Sequence, residues 1–435
     1  MNSSLVIKHA QIVSSQKIFQ ADVLIEHGKI KQVGEGLLAS QVIDATGLHL
    51  IPGVLDPHVH FRDPGLEWKE DFETGSRAAA SGGVTSFFEM PNTAPSTTTR
   101  ETMKQKKQRA SQKSLVNYNF FIGATPDNLE ELNAVQNVCG IKIFMGCSTG
   151  SLLVSEKKDL EVIFSNGRRL IAVHAEDHAE LLKNEKKFGV RGGILSHPEI
   201  RSPQVALKAT QTAVSLSKKY KRRLHILHLS TAEETEFLAL EKEKGLISVE
   251  VCSQHFLLQA PEIYEKLGCF AQMNPPLRDK RHGEALWKAL KEGVIDCIAT
   301  DHAPHTYEEK SLPYGEAPSG MPGVETSLPL MLNLVNVGKC SIQEVVKWMC
   351  ENPYLLYQVK NKGQIAPGFD ADLVLVDLKK KKTIENGKLH TKVNWSPYNG
   401  WTLQGWPLMT FVNGNLVFRE GEFFEQVKGQ ELQFL

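Results

Sequence analysis

"GVLDPHVHFRDPG", residues 53–65, is a short apolar run that closes on two histidines and an arginine. A strand covered on both faces reads as a near-continuous apolar stretch. Side chains at i and i+2 of a strand share a face. His58 and His60 can therefore point the same way and grip one ion, with Arg62 further out where strand becomes loop. The stretch decides the fold because its texture recurs. Seven more runs follow: "TSFFEMP" (85–91), "NYNFFIGAT" (117–125), "GIKIFM" (140–145), "LIAVHAE" (170–176), "LHILHLS" (224–230), "ISVEVCSQH" (247–255) and "DCIATDHAP" (296–304).

Most of these runs lead into segments of helical spacing, such as "ETGSRAAASGG" (73–83), "SPQVALKATQTAVSLSKKY" (202–220) and "TAEETEFLALEKEKG" (231–245). Alternating strands and helices imply a parallel sheet, and eight units suggest closure into a (β/α)8 TIM-like barrel. An open doubly wound sheet is the competing architecture. It normally carries a glycine-rich phosphate loop after an early strand, and no GxGxxG or GxxxxGK occurs. The two ends differ in texture. "LVIKHAQIV", "ADVLIEHGKIKQVG" and "QVIDATGLHLIPG" at the start, and "ADLVLVDL" and "MTFVNGNLVFREG" at the end, read as strands and turns. The expected organisation is a small β-sandwich domain built from both termini, residues 1–52 and 356–435, around a barrel at 53–355.

The 435 residues include 50 Lys plus Arg and 50 Asp plus Glu, so the formal net charge is zero. That balance gives no electrostatic case for a nucleic acid or a membrane partner. The lysine run at 379–382 reads as a solvated turn. "MNSSLVIKHAQIVSS" breaks the apolar run a signal peptide needs, and "LPLMLNLVNV" (328–337) is interrupted by Asn333 and Asn336. Seven cysteines without a CxxC pair argue against a disulfide framework or a cysteine-bound zinc. A cytoplasmic protein with reduced thiols is expected.

The unusual polar residues cluster at the ends of the runs. His58 and His60 close the first, Asn92 follows the second, Lys142 lies in the fourth, His174 closes the fifth, His228 the sixth and Asp301 the eighth. In a parallel barrel those ends surround one mouth, where the chemistry sits. A single histidine is most often a satisfied core or surface residue, but this repetition points to a site. Imidazole nitrogens suit zinc, and the Asp301 carboxylate can complete a shell with His58 and His60. His174 and His228 can hold a second ion. Lys142 is the chemically capable group in "GIKIFMG" for bridging the two. Its ammonium form would repel both cations, whereas its carbamate would be a bidentate anion.

These residues are similar to the amidohydrolase superfamily and, within it, to the dihydroorotase family. The resemblance rests on "DPHVHFRDPG" (56–65), "KEDFETGSRAAASGGVTSFFEMPNTAPST" (69–97), "HAEDH" (174–178), "ILHLST" (226–231), "MNPPLR" (273–278), "ATDHAPH" (299–305), "GMPGVET" (320–326) and "GQIAPGFDADLVLVD" (363–377). It implies zinc, one or two ions, on His58, His60, His174, His228 and Asp301, with Lys142 at the carboxylated-lysine position. Arg62, Asn92 and His305 match groups that hold the substrate α-carboxylate. Asn274, Pro322 and Gly323 match positions lining the pyrimidine ring. Two departures stand out. Many bacterial relatives carry an aspartate as the bridging residue where this chain has "KIFMGCSTG", and Gln254 replaces a common histidine, leaving His255 as a supporting group. Asp56, Asp63, His178 and His302 read as support or turn residues. The loop "GCSTGS" (146–151) reads as mobile near the mouth.

The implied reaction is the reversible closure of N-carbamoyl-L-aspartate to L-dihydroorotate plus water, within pyrimidine biosynthesis. A metal lowers the pKa of bound water from about 15.7 to about 7, giving hydroxide at neutral pH. Asp301 then shuttles the proton as general acid and base. An allantoinase or hydantoinase is the nearest enzymatic rival. Hydantoins lack the α-carboxylate, and allantoinases typically show asparagine at the Arg62 position, so "HFRDPG" and "MPNTAP" favour the first reading. A non-catalytic scaffold subunit is the rival from another class, and it would normally have lost ligands that are all present here. The resemblance also implies a homodimer. Arg62 has a bland alternative too, a salt bridge to Asp63 or Glu70.

Overall fold

The computed structural model describes residues 4–146 and 152–435. Apart from Gly146, the loop expected to be mobile at 146–151 lies outside the described residues. All eight apolar runs form strands: β1 Val54–Val59, β2 Val84–Glu89, β3 Asn117–Gly123, β4 Gly140–Phe144, β5 Ile171–His174, β6 Leu224–Ile226, β7 Ile247–Cys252 and β8 Cys297–Ala299. They pair in parallel in chain order, β1 to β8. Every residue in them is buried, which is why the runs lack the apolar–polar alternation of a half-exposed strand.

The seam between β1 and β8 is closed just beyond the strands. Val59 bridges His302, and the His60 N–H donates to the His302 carbonyl at 2.7 Å. Asp56 stitches the same seam from inside. Its carboxylate accepts from the Thr300 N–H at 3.2 Å, the Thr300 hydroxyl at 2.5 Å and the His58 N–H at 3.2 Å. Burial pushes the Asp56 carboxyl up to about 7, against the pull of those donors.

The helices begin where the sequence supplies caps. Asp71 accepts from the N–H groups of Glu73 and Thr74 to start Phe72–Ser81, and the Thr74 side chain answers in a capping box. Asp279 starts Lys280–Glu292, which ends at Gly293 in the left-handed region (φ 81°). The anticipated helices at 202–220 and 231–245 are Pro203–Tyr220 and Ala232–Glu241. "LPLMLNLVNV" falls within helix Ser327–Asn336 and one residue beyond it, and no described helix is long and apolar enough to cross a membrane. The six described cysteines are unpaired.

Both termini build the second domain. Strands Leu5–Val13, His49–Pro52, Leu373–Thr383 and Thr402–Val412 lie in one nine-stranded sheet, and His49–Pro52 joins the N-terminal strands to the C-terminal ones. They share a core of Ile7, Ile12, Leu50, Leu373, Leu375 and Phe411, so neither end buries its apolar face without the other. One expectation is corrected. The lysines at 379–382 do not form a turn but the outer end of strand Leu373–Thr383, largely exposed, where pairing with Thr402–Val412 shifts register between Asp377 and Lys381.

Candidate active site

The C-terminal ends of the strands converge on one cavity of about 220 Å³. Around it stand His58, His60, Arg62, Asn92, Lys142, His174, His228, Asn274, Asp301 and His305. Ten of the twelve anticipated residues therefore come together from all over the chain. Pro322 and Gly323 do not line it. They border a small adjoining space with His302, whose Nδ1 accepts from the Gly323 N–H at 3.0 Å. Ser319 and Gly320, slightly earlier in the same segment, reach the cavity instead.

Asp301 Oδ1 lies 3.2 Å from His58 Nε2 and 3.0 Å from His60 Nε2. His174 Nδ1 faces His228 Nε2 at 3.0 Å, and the His58 and His228 ring centroids are 5.2 Å apart. Ligand atoms of His58, His228 and Asp301 all fall within 4.8 Å of one another, so the two expected ligand sets share a single space. Burial holds all four imidazoles below the ordinary histidine range, with neighbouring cationic groups adding to the effect. Neutral imidazoles keep the lone pairs a metal needs.

Lys142 is buried beside this cluster, with its Nζ 4.5 Å from the Phe144 ring centroid and without a hydrogen-bond partner among the described residues. Burial lowers its pKa to about 7, although Asp301 and Glu250 pull the other way. An orphaned amine at the centre of a histidine cluster is costly unless something binds it.

A layer of carboxylates orients the histidines, and sequence reasoning passed over it. Glu250 on β7 accepts from His58 Nδ1 at 2.7 Å and from the His228 N–H at 3.3 Å. Its other oxygen meets His225 Nε2 at 3.0 Å. Glu176 contacts His174 Nε2 at 2.7 Å and is paired with Arg201, which also lines the cavity. Burial alone would raise the Glu176 carboxyl, but Arg201, His174 and Arg278 together outweigh it and bring the pKa to about 2. The available signal was a charged residue in or closing an apolar run: Glu250 in "ISVEVCSQH" and Glu176 at the end of "LIAVHAE". Gln254 and His255 stand behind the site, bonded to the carbonyls of Thr300 at 2.7 Å and Pro275 at 3.1 Å.

The opposite wall is cationic. Arg62 is buried, its Nε donating to the Pro304 carbonyl at 3.2 Å and its Nη2 lying 3.1 Å from His305 Nε2. Neither suggested acid pairs with it. Asp63 is taken by Arg109 and Lys113, and Glu70 by Thr74, Thr391 and the Lys392 N–H. Burial, then Arg62, drives the His305 imidazole down to about 3. The C-terminal segment props this wall: Trp395 donates from Nε1 to the His305 carbonyl at 2.8 Å. Asn92 accepts from His60 Nδ1 at 2.7 Å, and the buried Asn274 Oδ1 has no partner among the described residues.

Comparison with known proteins adds three findings. Residues 49–417 match the amidohydrolase family. Dihydroorotases of Methanosarcina acetivorans and Methanosarcina mazei are each 35% identical, covering 96% and 95% of this chain and 95% and 94% of their own. The solved structure of L-hydantoinase (dihydropyrimidinase) from Arthrobacter aurescens superposes with a TM-score of 0.95 at 31% identity, over 100% of both chains.

Proposed function

The chain belongs to the amidohydrolase family, and from that premise we propose that it catalyses the dihydroorotase reaction of pyrimidine biosynthesis. In that reaction N-carbamoyl-L-aspartate closes reversibly to L-dihydroorotate and water. The observation that carries the choice is Arg62, a buried guanidinium on the cavity wall with no carboxylate partner among the described residues. A buried cation calls for an anion. The substrate's unreacting α-carboxylate supplies it through the planar fork that arginine offers and lysine lacks. The structural likeness to a hydantoinase supports the rival reading, but hydantoin has no carboxylate for Arg62 to hold.

The donor set fits zinc, a metal of nitrogen and oxygen ligands. His58, His60 and Asp301 would hold one ion and His174 and His228 a second, with Lys142 as a carbamate between them. Bound zinc supplies Lewis acidity toward a carbonyl and lowers the pKa of water. Arg62, His305 and Asn92 hold the α-carboxylate away from the histidines. The Asn274 amide orients the ring. Asp301 has Oδ1 turned to His58 and His60, which leaves Oδ2 to carry the proton. In hydrolysis it takes that proton from the attacking water and delivers it to the departing ring nitrogen; in closure it protonates the oxygen that leaves. We carry the same reading to a cytoplasmic homodimer.

Purified protein is expected to open L-dihydroorotate and to leave allantoin and hydantoin nearly untouched. Asp301→Asn should lower turnover by about 10²–10⁴, the range of general acid–base catalysis, while keeping its circular dichroism spectrum. Strong allantoin or hydantoin turnover without dihydroorotate turnover would overturn the proposal.

A further inference from the structure

A cluster of arginines that the catalytic reading does not use lies at the other end of the barrel. Beneath the N-terminal ends of β4, β5 and β6 is a cavity of about 390 Å³, bordered by Arg168, Arg169, Arg223, Cys139, Tyr357 and Phe434. The buried Arg222 stands behind it, its Nε on the Arg169 carbonyl at 2.6 Å, its Nη1 on the Asn166 carbonyl and its Nη2 without a partner among the described residues. No carboxylate lies within 4 Å of any of these four guanidinium groups among the described residues, although ion pairs are common elsewhere on the chain. Burial holds Arg169, Arg222 and Arg223 below the ordinary arginine range; Arg169 adds to the effect on Arg222, and only the Tyr357 phenol opposes it at Arg223.

A purely structural reading covers part of this. Arg169 donates to the carbonyls of Leu132 and Asn133 at 2.9 Å each, both in the last turn of helix Leu129–Ala134, and to the Val135 carbonyl just after it, while Arg223 donates to the Leu356 carbonyl that ends helix Asn352–Leu356 and to Gln358 Oε1 at 2.9 Å. Such contacts satisfy helix C-termini. They leave Arg168, exposed at the rim, without a hydrogen bond or ion pair among the described residues, and they supply only partial charges against several whole ones. Tyr357 is 3% exposed, and its hydroxyl has no partner among the described residues either. The absence of a partnering acid marks this cluster as it marks Arg62.

We propose that this cavity is an anion site whose ligand is a small phosphate ester carrying an apolar or aromatic group. A phosphate presents several acceptor oxygens and nearly two charges to converging guanidinium forks. Tyr357, Phe434, Val138 and Leu170 offer the organic part an apolar wall.

Phenyl phosphate is the probe, titrated by calorimetry against the intact protein, with inorganic phosphate, and with chloride at matched ionic strength, as comparisons. Saturable binding is expected, tighter for phenyl phosphate than for inorganic phosphate and absent for chloride. Arg168→Gln, which removes no bond, and Arg223→Lys, which keeps the charge, should each weaken it at least tenfold while circular dichroism and dihydroorotate turnover stay as in wild type. Arg62→Lys should bind the probe like wild type, which separates this cavity from the catalytic one. Chloride reproducing the heat, both cluster variants binding normally, or loss of binding in Arg62→Lys alone would overturn the site.

Discussion

Arg62, His228 and Asp301 occupy backbone conformations that non-glycine residues avoid, with φ of 64°, 36° and 47°. Each such residue costs on the order of 1–3 kcal/mol and persists only where the surroundings hold it. All three line the same cavity, so the strain sits where side chains must be aimed rather than packed. Arg62 shows what aiming is for. Lysine in its place keeps the charge and loses the fork, so Arg62→Lys should raise KM for dihydroorotate about tenfold to a hundredfold, the worth of one or two charge-assisted hydrogen bonds. Steady-state kinetics check this, and an unchanged KM would remove Arg62 from substrate binding. The residue scale was partly legible. The i, i+2 histidine pair declares itself in any strand, whereas Glu250 reads only as an oddity until β7 is seen to lie where its carboxylate spans His58, His225 and His228.

Elements were the most readable level, because each is set by local rules. Strand burial on both faces forces continuous apolar runs, and caps mark where helices start and stop. Helix Lys280–Glu292 allows both rules to be tested. Asp279 accepts from the Arg281 N–H at 2.9 Å, so Asp279→Ala should cost about 1 kcal/mol. Gly293 has open space around a would-be Cβ and φ of 81°, so Gly293→Ala is penalised by conformation alone, about 1–2 kcal/mol. Urea unfolding measures both, and a neutral Gly293→Ala would mean the backbone relaxes. The lysine run at 379–382 is where local rules misled. Four charges read as a turn, but β-strand pairing with Thr402–Val412 carries the chain through them, because exposed strand positions tolerate any solvated side chain.

At the scale of the whole molecule, distant segments complete each other. The C-terminal tail runs under the barrel, where the Leu432 N–H donates to the Tyr118 carbonyl at 2.9 Å and the Leu432 side chain joins a core with Phe88, Phe121 and Leu227. Leu432→Ala should therefore destabilise the protein by about 2–5 kcal/mol, the range for a buried leucine truncation; a loss below half a kcal/mol in urea unfolding would mean the tail is only draped there. The overall reaction carries a pH signature of its own, which the enzyme reveals by bringing it to equilibrium. Ring closure takes up one proton, so the equilibrium ratio of dihydroorotate to N-carbamoyl-L-aspartate should rise about tenfold for each unit the pH falls. Product ratios that do not move with pH would contradict the proposed chemistry.

The amino-acid sequence by itself determined the eight-strand repeat, the β-rich termini and the histidines and aspartate at the strand ends, since these follow from periodicity and from which end of a parallel barrel carries chemistry. Only the tertiary structure decided which groups meet across it. It put Asp63 with Arg109 and Lys113 and left Arg62 without an acid among the described residues, turned Pro322 and Gly323 to an adjoining space, and set Glu250 and Glu176 behind the histidines. The reason is physical: spacing fixes where a side chain points from its own strand, but partners many residues away are fixed by how the strands close around the axis.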